Sequence, residues 1–161
     1  DVHGNHGRVG KKGEAPSTDN LDRMTYRIVR DKIKDPRVTW QHADTWYQIV
    51  EIGKYRALLV HGDQIKMFGG NTPVHGILRK FNAWKGGVTE HFRDGYVGHF
   101  HQHQSLLMSA GGHVFMTGST ESASNYAAEF IAAKGTPSQR LHFVDPERGR
   151  VTSEHQVHLD D

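Results

Sequence analysis

The chain of 161 residues contains no cysteine, only five prolines and a formal net charge of just +2. Without cysteine it can form neither disulfides nor thiolate metal sites, so histidine, asparagine and carboxylates are the remaining candidate metal ligands. No run of 18 apolar residues is present, so the sequence predicts no transmembrane segment. The small net charge does not by itself indicate a nucleic-acid partner. We expect one domain over residues 1–161, and the lack of cysteine is compatible with a cytoplasmic location.

Histidine is the residue type in excess, with 13 in the chain. The most informative pair lies in Gly98-His99-Phe100-His101, directly after the strand pattern at residues 96–97. If Phe100 is extended, the two-residue period of a strand places His99 and His101 on the same side of the backbone. Neutral imidazole is the commonest nitrogen ligand of metal ions. The pattern therefore predicts a metal site, although such pairs also arise by chance in a histidine-rich chain.

Two further motifs strengthen this prediction. Gly4-Asn5-His6 lies in a glycine-rich segment at the start of the chain, and His61-Gly62-Asp63 follows the apolar run at residues 55–60. Ligands commonly follow the carboxyl ends of buried strands in α/β sheets. Each motif also has a simpler interpretation, since His61 could be a buried structural histidine and residues 1–17 a flexible tail.

The remaining pattern predicts alternating helices and strands, which indicates an α/β or α+β domain. The apolar residues of the first helix recur at helical spacing and give one stripe: Leu21, Met24, Ile28, Val29 and Ile33. Helices are predicted over residues 19–34, from Asn71-Thr72-Pro73 to Gly86-Gly87, and over 126–132. Strands are predicted over 38–40, 46–50, 55–60, 96–97, 105–108 and 113–117, with a terminal hairpin of 140–144 and 150–152.

In its motif order of GNH, HG and GHxH, the sequence resembles the C-terminal part of the calcineurin-like metallophosphoesterases. The resemblance implies an α/β/β/α sandwich that carries two divalent transition-metal ions, with Mn, Fe, Zn and Ni as candidates. It further implies that Asn5, His61 and His99 bind one ion, that His101 binds the other, and that His6 protonates the leaving group or stabilises the transition state.

The implied activity is the hydrolysis of phosphoesters, with phosphodiesters favoured. Nucleic acid is one candidate substrate, because Arg8, Lys11, Lys12 and the basic faces of the helices could hold a phosphate backbone. We expect Arg8 to be a substrate-binding residue. The two metal ions would clamp the phosphate and neutralise charge on the attacking and leaving oxygens.

The sequence departs from the family pattern at its start. The family's first two motifs, Asp-x-His and Gly-Asp-x-x-Asp, precede GNH and supply the carboxylate that bridges the metals. Asp1-Val2-His3 spells the first motif, but it adjoins GNH and could not reach the opposite side of a metal pair. We therefore expect an N-terminally incomplete sandwich that binds at most one metal ion tightly. Its open sheet edge would favour pairing with another chain or a second copy.

Two alternatives remain open from the sequence. The first is a non-catalytic truncated domain that serves as a binding or assembly component. The second is a cupin-like β-barrel with a mononuclear site at the HxH pair, and the helices predicted to begin near Asp19 and Thr72 argue against it.

Overall fold

The computed structural model describes residues 1–16, 18–66, 73–121, 129 and 136–160. Two α-helices and seven strands are formed in this part of the chain. The helices are α1 (Leu21–Lys32) and α2 (Val74–Ala83), and a π-helical turn at Trp84–Val88 extends α2. The strands are β1 (Tyr47–Ile52), β2 (Tyr55–Val60), β3 (Asp94–Val97), β4 (Gln104–Leu107), β5 (His113–Met116), β6 (Ser138–Asp145) and β7 (Arg150–His158).

The first five strands form one sheet in the order β1-β2-β3-β5-β4. Its centre is parallel, because β2 pairs with β3 and β3 with β5 in that sense, whereas β1 and β4 are antiparallel edge strands. The near-continuous apolar sequence of β2 matches its central position, which buries both faces. The strand predicted over residues 55–60 is confirmed.

Helix α2 covers one face of this sheet. Ile77 and Phe81 are fully buried, and the Phe81 ring lies so close to Gly95 on β3 that any Cβ at Gly95 would overlap with it. The next residue, Tyr96, points to the opposite face because side chains alternate along a strand.

The hairpin of β6 and β7 covers that opposite face. The guanidinium of Arg140 donates to the backbone oxygens of Gln104 and Met116 at 2.9 and 3.0 Å, and Tyr96 contacts His142. Helix, sheet and hairpin are three consecutive layers of the expected α/β/β/α sandwich. The α/β class is thus confirmed.

Three sequence predictions need correction or lie outside the described residues. Residues 38–40 are not a strand, and Val38 instead follows a turn in which its N–H donates to Asp35 O at 3.0 Å; β-branched residues favour a strand only where a neighbouring strand pairs with them. Helix α2 begins at Val74, while Asn71 and Thr72 lie outside the described residues. The helix predicted over 126–132 also lies outside them, apart from residue 129.

The apolar stripe of α1 lies largely on the surface. No residue of α1 is buried, and Leu21, Met24 and Ile28 are 56%, 60% and 50% exposed. In the part of the chain that the structure describes, no helix is both long and apolar enough to cross a bilayer.

Candidate metal centre and adjoining cavity

The candidate ligands His61 and His99 are brought together by the parallel pairing of β2 and β3. Val60 is opposite Val97 in the register, so both strands end at the same edge of the sheet. The two imidazole ring centroids are 5.0 Å apart, with an interplanar angle of 65°. This proximity agrees with the expectation from the sequence that both histidines follow buried strands.

Gly62 permits this close approach. Its φ is +117°, and a Cβ at this position would lie 2.6 Å from a methyl carbon of Val97. Both the backbone conformation and the space therefore require glycine after His61.

Asn5 reaches the histidines from the loop that contains the GNH motif. Its Oδ1 lies 2.7 Å from His61 Nε2. An amide oxygen only accepts, so in this arrangement Nε2–H of His61 is the donor. A metal ion bound by these two atoms would replace the hydrogen bond, because the Nε2 lone pair would then have to face the ion. Asn5, His61 and His99 are therefore the candidate ligands that the structure brings together.

The N-terminus of α1 holds the GNH loop in place. Asn20 caps the helix through its Oδ1, which accepts from Asp22 N–H at 2.9 Å, and its Nδ2 donates to Gly4 O at 2.7 Å. Asp22 in turn accepts the N–H of Gly4 at 2.7 Å. These contacts fix the backbone on the N-terminal side of Asn5. The sequence predicted a helix that begins near Asp19, but it did not predict that Asn20 and Asp22 would contact the GNH loop.

The turn that carries His99 and His101 differs from the expectation. Both residues have positive φ, at +65° and +54°, and Phe100 N–H donates to Gly98 O at 2.7 Å. This is a γ-turn centred on His99 rather than an extended segment, so the extended backbone expected for the HxH pair is wrong. His99 is half-buried and His101 is exposed. Positive φ costs free energy in non-glycine residues and is concentrated at functional sites.

Asp63 is a charged residue beside this cluster to which the sequence analysis assigned no role. It forms an ion pair with Arg8, and Lys12 donates to its backbone oxygen. The Lys12 Nζ atom also lies 3.9 Å from Asp63 Oδ2. Arg8, predicted to bind substrate, thus has an intramolecular carboxylate partner. The tripeptide His61-Gly62-Asp63 already indicated that Asp63 lies close to a candidate ligand.

The electrostatic environment keeps the two central histidines neutral. Burial lowers the pKa of His61 to about 4, and repulsion from a protonated His99 would act in the same direction, while Asp63 opposes them. Burial also lowers the pKa of His99; Asp63 opposes this shift, and Lys12, His101 and His6 add to it. Neutral imidazole is the form that binds metal ions. His6, itself exposed, is close enough to influence both rings.

The donor set fits one metal ion better than two. Asn5, His61 and His99 offer one amide oxygen and two imidazoles. Among the residues that the structure describes, no group of three or more histidines and carboxylates is arranged to hold a metal ion. The carboxylate of Asp1 contacts His42 Nδ1 at 2.6 Å rather than any candidate ligand.

A cavity of about 390 Å³ adjoins the candidate metal ligands. We call it the tryptophan cavity, because Trp46 and Trp84 line it with ring centroids 4.9 Å apart. Its other charged and polar walls include Arg8, Lys12, Lys80 and His61. Sequence analysis missed this cavity, since Trp46 and Trp84 are distant along the chain and meet only in the folded protein.

Comparisons with known proteins gave structural matches alone. No family model and no curated protein matches the chain. Vps29 of Entamoeba histolytica, crystallised with Zn²⁺, shares 16% identity at a TM-score of 0.47, over 95% of each chain. The hypothetical protein PH1004 of Pyrococcus horikoshii shares 15% identity at 0.43, over 72% of this chain and 41% of that one. Vacuolar protein sorting 29 of Cryptosporidium parvum shares 15% at 0.38, over 79% and 64%.

Proposed function

We propose that this chain is a phosphate-recognising binding domain, in a single unit over residues 1–161, that holds one divalent transition-metal ion and is not a phosphodiesterase by itself. The observation that carries the proposal is the contact of Asn5 Oδ1 with His61 Nε2 at 2.7 Å, with the His99 ring 5.0 Å from the His61 ring. Three protein donors and a water are sufficient for a four-coordinate ion.

The chemistry of the donors supports a transition metal. Imidazole prefers Zn, Mn, Fe or Ni over Mg and Ca. Burial lowers the pKa values of His61 and His99, so both rings are available without first losing a proton near neutral pH. When bound, such an ion would act as a Lewis acid that attracts a phosphoryl oxygen. The role of the chain's own residues is to hold the ion and to place the basic side chains beside it.

Carboxylate geometry supports one ion rather than two. Two metal ions at short range repel each other, and a carboxylate that binds both of them offsets this repulsion. In the described part of the chain, the carboxylates around the cluster have other partners: Asp63 pairs with Arg8 and Lys12, and Asp22 accepts the N–H of Gly4. Neither is placed as a bridge in this arrangement.

The test is metal stoichiometry measured beside activity. Elemental analysis after dialysis against Mn²⁺ or Zn²⁺ should give one ion per chain, and His61→Ala should lose it. His91→Ala, at an exposed position away from the three motifs, is the matched control and should retain the ion. The same samples should hydrolyse bis(p-nitrophenyl) phosphate poorly. Two ions per chain with robust turnover would overturn the proposal, as would retention of the ion in His61→Ala.

Phosphodiester hydrolysis is the second candidate, favoured by the position of His6 beside Asn5. A histidine adjacent to a metal ligand is placed to protonate a leaving group. This function needs a bridging carboxylate from another chain or a second copy, which would also complete the second metal position at His101. If such a complex is active, His6→Ala should reduce turnover on esters with poor leaving groups by about 10²–10⁴-fold and on activated aryl esters far less.

A further inference from the structure

We propose that the tryptophan cavity binds a nucleoside 5′-phosphate, either as a free nucleotide or as the phosphorylated end of a nucleic acid. The nucleobase would lie against Trp46, and the phosphate would lie towards Arg8 and Lys12, next to His61. The position of the phosphate rests on the proposed function, whereas the base position does not.

The size of the cavity suits this ligand class. At about 390 Å³ it falls within the usual range of about 300–1,000 Å³ for small-molecule sites in proteins. It can enclose one nucleotide but not a longer stretch of nucleic acid. A polymer would therefore enter by its end, with the following nucleotides outside.

The aromatic end of the cavity offers a surface for a planar ring. Trp84 is only 5% exposed, and its ring centroid lies 4.9 Å from that of Phe81, so it forms the floor of the cavity at this end. Trp46 is half-buried and contacts Trp84, which leaves part of its indole accessible from the cavity. Indole faces stack with any nucleobase, because every base has a π-face. Lys80 is also at this end, 5.9 Å from the Trp84 ring centroid.

The opposite end is polar and cationic. Arg8 and Lys12 meet at Asp63, two residues after His61, so these four residues form one cluster. Asp63 and Asp19 also line the cavity, and against three cationic side chains they leave a net positive wall. Arginine has five N–H donors, so its pairing with one carboxylate leaves capacity for a phosphate.

An aromatic end and a cationic end in one cavity select a ligand that is itself two-ended. A sugar phosphate would make no contact with the indole, and a nucleoside would make no contact with the cationic side chains. A nucleotide satisfies both, so its affinity should exceed that of either part.

The first experiment measures binding by isothermal titration calorimetry to the full chain in EDTA, which removes metal from the comparison. Adenosine 5′-monophosphate should bind at least about tenfold more tightly than ribose 5-phosphate or adenosine, since each lacks one set of contacts. A 5′-phosphorylated trinucleotide distinguishes the two sources. Tighter binding than the mononucleotide would identify a nucleic-acid end, and equal binding a free nucleotide. Equal affinity for adenosine 5′-monophosphate and ribose 5-phosphate, or binding of neither, would overturn the inference.

Substitutions at Trp46 locate the base. Trp46→Leu removes the π-face but fills the space, and should weaken nucleotide binding about tenfold, whereas Trp46→Phe should retain most of it. Trp40→Leu is the matched control, because Trp40 stacks with His42 and does not line the cavity. Thermal melting confirms that each variant folds. Unchanged nucleotide affinity in a folded Trp46→Leu variant would overturn the inference.

Metal binding is measured separately on the same variants. Trp46→Leu should still bind one Zn²⁺ per chain, and the unsubstituted chain should still bind the nucleotide in EDTA, where no metal ion is present. A nucleotide site without a metal site would overturn the proposed function alone, and the reverse result would overturn the cavity inference alone.

Discussion

The hydroxyl oxygen of Tyr96 lies 2.6 Å from Nδ1 of His142, and this contact joins the five-stranded sheet to the β6–β7 hairpin. The Tyr96 hydroxyl is also 3.2 Å from that of Tyr55, and His142 Nε2 is 3.3 Å from Glu154 Oε2. The His142 side chain is only 6% exposed. A polar path therefore crosses the contact between the two sheets, and its loss at one point leaves buried groups unsatisfied.

Replacement of Tyr96 by phenylalanine should destabilise the fold. The ring remains, but His142 Nδ1 and the Tyr55 hydroxyl lose a partner, which costs about 1–3 kcal/mol in the free energy of unfolding. Urea denaturation measures this difference. Tyr47→Phe is the control, because that half-buried ring packs against Trp46 at the edge of the sheet, and it should change stability little. Equal effects of the two substitutions would contradict the role of the Tyr96 hydroxyl.

Stability should fall as the pH is lowered from 7 to 5. Burial lowers the pKa of His142 below its ordinary value of 6.5, and the charge of Arg140 adds to this, while Glu154 and Asp94 oppose it. A depressed pKa means that the unfolded chain binds the proton more readily, so the stabilisation is complete above pH 6.5 and is lost as the pH falls through and below that value. Burial lowers the pKa values of His61 and His99 with the same sign.

The contribution of His142 to this pH dependence can be isolated by substitution. His142→Gln should reduce the slope of melting temperature against pH between 5 and 7, whereas the exposed His91→Gln should not. Glu154 does not contribute to the pH dependence between pH 5 and 7. Its pKa is lowered from 4.5, so its effect on stability appears only below that value. A slope that is the same in both variants would remove His142 from the explanation.

Substitution of Gly95 by alanine should be strongly destabilising. A Cβ at this position would overlap with the ring of Phe81, which is fully buried. Overpacking of this kind typically costs about 1–3 kcal/mol, and we expect the upper end of that range. Gly86→Ala is the matched control, since nothing lies within 4 Å of a Cβ there. Similar melting temperatures for the two variants would show that α2 can shift on the sheet.

Asp22 should influence metal affinity without binding the ion. It accepts the N–H of Gly4 at 2.7 Å, and so positions the residue next to Asn5. Loss of such a supporting contact typically weakens metal binding by about 10–100-fold, which is the effect we expect for Asp22→Ala in Zn²⁺ titrations. Asp31→Ala removes a carboxylate at an exposed position on the same helix and should leave the affinity unchanged. Equal losses would point to the general charge of the helix instead.

The sequence was sufficient to predict the seven strands that form and the meeting of His61 with His99, but it also predicted a strand at residues 38–40 that does not form. The apolar run of β2 predicts a buried strand, and buried parallel strands end at one edge, so residues that follow them become neighbours. The turn at His99 could not be predicted, because positive φ at a histidine has no local signature comparable to glycine. The tryptophan cavity depends on the contact between Trp46 and Trp84, and no local pattern reports a contact between such distant residues.

Helix α1 has no buried residue, yet the GNH loop is hydrogen-bonded to it through Gly4 and Asp22. Leu21 N–H donates to Gly7 O at 2.7 Å, and the Tyr26 hydroxyl donates to Val2 O at 3.2 Å. The helix therefore owes much of its attachment to the first residues of the chain rather than to a core of its own. Because coupling between sites is reciprocal, an ion that immobilises Asn5 also stabilises the docked helix. Amide hydrogen exchange along α1 should therefore slow when the metal ion is bound.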